Sequence, residues 1–103
     1  MKNGYPNEKF SNAVDSMAVS SQPIQRRIAD AFVFNLIMLK PEELPEEIRT
    51  KFIEVKKQLT SVQPVGDEGS IYATTQQMDT DTAVDIARAI VSMADVVACD
   101  YYN

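Results

Sequence analysis

The stretch TAVDIARAIVSMADVVAC, residues 82–99, decides the fold. After its opening threonine the polar positions are Asp85, Arg88, Ser92 and Asp95, at spacings of three, four and three, which on a helix make one thin stripe. Ala83, Ala87, Ala94 and Ala98 allow close backbone approach, and Val84, Ile86, Ile90, Val91, Met93, Val96 and Val97 supply bulk. A helix apolar over most of its circumference belongs among other helices or against a second molecule. The pattern predicts a helix over 81–99, capped by Asp79 or Thr80, in the middle of a bundle and flanked by the second and third helices.

The flanking segments have the same period. Ile48, Phe52, Val55 and Leu59 recur at four, three and four, which predicts a one-faced helix over 45–61. Pro45 suits its first turn, Glu46 and Glu47 favour its positive N-terminal end, and Glu47 and Lys51 form a favourably ordered pair one turn apart. Upstream, Ile24, Ile28, Ala31, Phe32, Leu36 and Leu39 draw another apolar line, starting near Gln22 with Pro23 in the first turn. Lys40 before Pro41 ends it, because a residue preceding proline disfavours the helical region. Phe34, Ile37 and Met38 remove the polar face of its second half, which predicts a segment buried on most sides or covered by a partner. Asn35 stands alone there, and its amide is expected to pair with the polar stripe of the last helix.

Phe10, Val14, Met17 and Ala18 predict a helix over 8–19, and Ile71, Tyr72, Thr75 and Met78 a short one over 70–77. Residues 1–7, with Gly4 and Pro6, read as a flexible lead-in to a single domain over 8–103. The fold class is therefore all-α: one compact antiparallel bundle of four to five short helices with the C-terminal helix central. With 103 residues there is room for one domain whose core needs no staples, and the single cysteine excludes an internal disulfide.

Composition excludes several function classes. The formal charge of −5 and a pI near 4.6 lack the basic footprint of nucleic-acid binding, so Arg26, Arg27, Lys51, Lys56 and Lys57 read as solvated faces. The longest apolar run, AFVFNLIML at 31–39, falls short of the roughly 20 residues a membrane span needs. MKNGYPNEKF has no apolar core of a secretory signal, so a soluble, cytoplasmic protein is expected. The chain has no histidine to serve as base, and Cys99 reads as a packed core thiol. No catalytic residue is assigned.

The segment PVGDEGSIYATT, residues 64–75, looks most like a motif. Asp67 and Glu68 between Gly66 and Gly69 would repel a phosphate, and no lysine follows, so it is no phosphate cradle. DTDTAVD at 79–85 opens like a calcium loop but lacks the glycine at its sixth position and the glutamate at its twelfth. The glycine loop reads as a connector in which Ser70 caps the next helix. No metal and no cofactor is assigned.

These exclusions leave a small, acidic, non-enzymatic interaction module. It would bind and modulate another protein, in the manner of a regulator, an antitoxin or an immunity protein, and would self-associate as a homodimer. Phe34, Ile37, Met38, Tyr101 and Tyr102 are the candidate partner-binding residues. The alternative is a bundle that binds a small ligand or nucleotide in an interhelical pocket lined by Phe32, Asn35, Tyr72 and Arg88.

Overall fold

Residues 3–66 and 69–103 are described by a computed structural model; Asp67 and Glu68, expected in the connector before the fourth helix, lie outside the described residues. The described chain is helical throughout, with five α-helices and no strand among the described residues. Among those residues no helix is long and apolar enough to cross a membrane.

Helix α1 runs Tyr5–Val19. It takes in the last three residues of the expected lead-in, because Pro6 is buried in the first turn, where a missing N–H leaves no helical carbonyl unpaired. Phe10, Ala13 and Met17 face inward. Helix α2, Ile24–Ala31, continues into a π-helical turn over Phe32–Leu36, where the Ile37 amide reaches back to the Phe32 carbonyl at 2.9 Å. The expected single helix thus changes winding halfway, and its end is marked as anticipated by Pro41, which opens a 3-10 turn over Pro41–Glu43. Helix α3, Glu46–Leu59, buries Ile48, Phe52, Val55 and Leu59, the line read from the sequence. Among the described residues the side-chain ion pair that forms is Arg26–Asp30, while Glu47 and Lys51 do not close. Helix α4 spans Gly69–Gln76 and starts from a left-handed Gly69, φ +80°. Ser70 is thus its second residue, and its carbonyl accepts from the Thr74 hydroxyl at 2.7 Å.

Helix α5, Thr80–Tyr102, is the longest, and Asp79 caps it by accepting from the Thr82 amide at 2.7 Å. It packs against α1, α2 and α3, laying Ala83, Ile86, Ile90, Met93 and Val97 along the core. Three rings form the middle of that core. Phe52 stacks on Phe32 with centroids 5.9 Å apart and meets the edge of Phe10 at 6.3 Å.

Polar side chains tie the ends of the elements. Arg27 donates to the Met17 carbonyl at 3.3 Å and the Gln22 carbonyl at 2.8 Å, which closes the α1–α2 corner. Lys56 donates to the Ile37 carbonyl at 3.3 Å, and Gln25 reaches the Met78 carbonyl and Thr80 hydroxyl at 3.2 Å. The buried Thr74 hydroxyl, besides donating to Ser70, accepts from the Val62 amide at 3.0 Å and holds the loop between α3 and α4. Three of the basic residues expected on solvated faces therefore have structural partners: Arg26, Arg27 and Lys56.

Candidate interaction surfaces

Among the exposed apolar side chains, which also include Val19, Ile53 and Val65, two groups stand out. The first is the π-helical turn. Phe32, Leu36 and Leu39 point into the core, so Phe34 and Met38, each two residues from a buried neighbour, point out and are 72% and 74% exposed. They lie one turn apart on the outer side of a segment whose inner side is saturated. Ile37 is half-buried, its carbonyl held by Lys56. The turn is thus open on one side rather than buried on most sides. Asn35, half-buried within it, makes no side-chain hydrogen bond among the described residues, and the stripe it was expected to meet faces solvent.

The second region follows the outside of α5. Val91 is 49% exposed, and Asp85, Arg88, Ser92 and Asp95 are all solvent-facing, so the polar stripe is the wet face of the helix rather than an internal network. Against this face α1 presents Asn7, Ser11, Val14 and Ala18, again at four, three and four. Between them runs an open hollow of about 550 Å³ that also meets Ala94, Ala98 and Tyr102. Past Val91 it leads into a second hollow of about 510 Å³ beside Ile24, Val84 and Ala87. Asp15 and Asp95 rim the first hollow and Arg88 the second. The sequence reading missed this groove. The signal for it was the coincidence of two small-residue lines, one on α1 and one on α5.

The terminal tyrosines divide. Tyr101 is half-buried with its ring over Gly4, where a Cβ would come within 3.1 Å of the tyrosine hydroxyl. Tyr102, edge-on to it at 4.8 Å, is 76% exposed at the end of the α1–α5 hollow, and its hydroxyl accepts from Asn7 Nδ2 at 3.5 Å.

The four residues of the alternative ligand pocket do not converge. Phe32 is in the core, Asn35 in the π turn and Arg88 on the outer hollow. Tyr72 sits in a separate cluster, where its hydroxyl donates to Asp30 Oδ1 at 2.6 Å and Arg26 Nε donates to the same oxygen at 3.1 Å. The Arg26 guanidinium lies 4.8 Å from the Tyr72 ring centre. Burial, reinforced by the hydrogen bond to Asp30 and its negative charge, pushes the Tyr72 phenol up to about 12, with Arg26 opposing. Cys99 is exposed, which corrects its reading as a core thiol: it lies two residues past Val97, roughly 200° around the helix from the buried line. Among the described residues no three carboxylate or thiol ligands converge.

No protein-family model matches this chain, and neither a curated protein nor a solved structure does.

Proposed function

We propose that this protein is a small, acidic, non-enzymatic protein-interaction module of the cytoplasm that pairs with itself and engages a second protein through its π-helical turn. The reading rests on one observation: Phe34 and Met38, two large apolar side chains, stand in solvent on a turn whose inner face is fully packed. Apolar area held out of the core costs solubility, and its common use is recognition. Met and Phe suit that use, the first by its adaptable shape and the second by its rigid area. Interruptions of α-helical winding of this kind recur at functional positions. The net charge of −5 favours a partner with basic groups around an apolar centre.

The test compares wild type with the Phe34→Ser/Met38→Ser double variant as paired baits. A protein identified on the wild type, absent from the variant and rebinding from purified components supports the reading. Identical captures by both baits overturn it. Light scattering over a concentration series tests the self-pairing.

A further inference from the structure

Along the outside of α5, Val84, Arg88, Val91, Asp95 and Ala98 succeed one another at four, three, four and three. This is the alternation of a two-helix seam. Asp81 precedes it by three residues and Tyr102 follows it by four, so the stripe runs the length of the helix. None of these side chains is in the core, and among the described residues neither Arg88 nor Asp95 makes a hydrogen bond or ion pair. Seven residues separate the two, about 10 Å along the axis, so they cannot pair within one helix.

The order of the stripe is complementary to its own reverse. Turned end for end about Val91, it sets Arg88 opposite Asp95, Val84 opposite Ala98, and Asp81 opposite the Tyr102 hydroxyl. Val91 meets its own counterpart. The groove rim has the same polarity, since Asp15 stands with Asp95 on one side of Val91 and Arg88 stands on the other. A parallel neighbour would bring Arg88 onto Arg88 and Asp95 onto Asp95.

We infer that the occupant of this groove is a second copy of the chain, its α5 antiparallel to the first and the two-fold axis at Val91. Ala87, Ala94 and Ala98 let the two helices approach at the short end of the usual interaxial range. Each contact other than Val91 on Val91 then occurs twice, as a closed two-fold interface requires. The Arg88 of each copy arrives between the Asp15 and Asp95 carboxylates of the other. The inference rests on the self-pairing proposed above and specifies its surface and register.

Sedimentation of charge-reversed chains tests it. Arg88→Glu and Asp95→Arg, each alone, place like charges opposite one another twice per dimer and should raise the dimer Kd by about tenfold or more. In an equal mixture of the two variants, the introduced carboxylate of one chain faces the introduced guanidinium of the other. The native Arg88 and Asp95 that remain also face each other, and the mixture should recover most of the lost association, short of wild type because the introduced carboxylate still lies beside Asp15. Circular dichroism of each variant should match wild type, since both sites are exposed. A dimer indifferent to either reversal, or one dissolved by Phe34→Ser/Met38→Ser instead, overturns this seam and leaves the self-pairing standing. Reversals that weaken association without recovery on mixing also overturn the register. A wild-type chain that stays monomeric at every concentration removes both.

Discussion

Phe32 and Phe34 sit two residues apart in the same turn, and truncating each to alanine should give opposite results. Phe32 is fully buried and stacks on Phe52 at 5.9 Å, so Phe32→Ala removes a ring from the core and leaves a cavity beside Phe52. Such substitutions cost about 3–5 kcal/mol. A domain of this size holds roughly 5–15 kcal/mol in total, so the variant should be marginal. Phe34 is 72% exposed, and Phe34→Ala should change stability by no more than about 0.5 kcal/mol. Urea unfolding followed by far-UV circular dichroism separates the two. With a slope of about 1.5 kcal/mol/M, the midpoint should fall by about 2–3 M for Phe32→Ala and by less than about 0.4 M for Phe34→Ala. The measurement belongs at two protein concentrations, because the proposed pairing would add stability that dilution removes. A loss above about 1 kcal/mol for Phe34→Ala in dilute solution would show that the ring belongs to the monomer's packing, and the partner-binding reading would lose its basis. A loss seen only in concentrated solution would move Phe34 into the self-pairing interface.

Three further outcomes follow from the polar contacts. Tyr72→Phe removes the 2.6 Å bond to Asp30 and should cost about 1 kcal/mol at neutral pH. The Tyr72 phenol is held at about 12 against 10.0 for a free tyrosine, so the stability it contributes is complete below pH 10 and is lost as pH rises towards 12. The difference in melting temperature between wild type and Tyr72→Phe should accordingly shrink over that window, and a constant difference would refute the coupling. Asp79 accepts hydrogen bonds from Thr82, which hold its carboxyl below the ordinary value of 3.8. Its stabilising effect is present above that value and fades as pH falls through the lowered one, so Asp79→Ala should lower the melting temperature at pH 7 but approach wild type in strong acid, with Asp79→Ser retaining most of the cap. Arg27→Met keeps the stem but removes the donors to Met17 and Gln22; a cost of about 1 kcal/mol in urea unfolding is expected, with Arg27→Lys recovering part because an ammonium does not present the same planar fork.

The periodic lines on α2 and α3 were legible because most of their inward positions are occupied by side chains too large to leave in water. Ile28, Phe32, Leu36, Ile48 and Phe52 all fall where the sequence spacing puts them. The outside of α5 was harder to read for the opposite reason. Alanine and valine bury little area apiece, so Ala87, Ala94, Ala98 and Val91 are nearly as stable on a groove wall as in a core, and apolar character alone does not say which. The same ambiguity concealed the orientation of Phe34 and Met38. Counting apolar residues in AFVFNLIML suggests burial all round, whereas the helical period already sets positions 34 and 38 opposite the line through 32, 36 and 39. A large side chain on that outer face therefore carries more information about recognition than a large one on the inner face, because packing the monomer gives no reason for it. By that measure the exposure of Phe34 and Met38 supports the proposed contact with another protein. The α5 stripe, where the residues are small and the order of charges is complementary to its own reverse, supports the proposed contact with a second copy of the chain. The two surfaces call for separate variants because different physical terms would hold the two proposed contacts: desolvation of large apolar groups at the turn, and matched charge around close helix packing on α5.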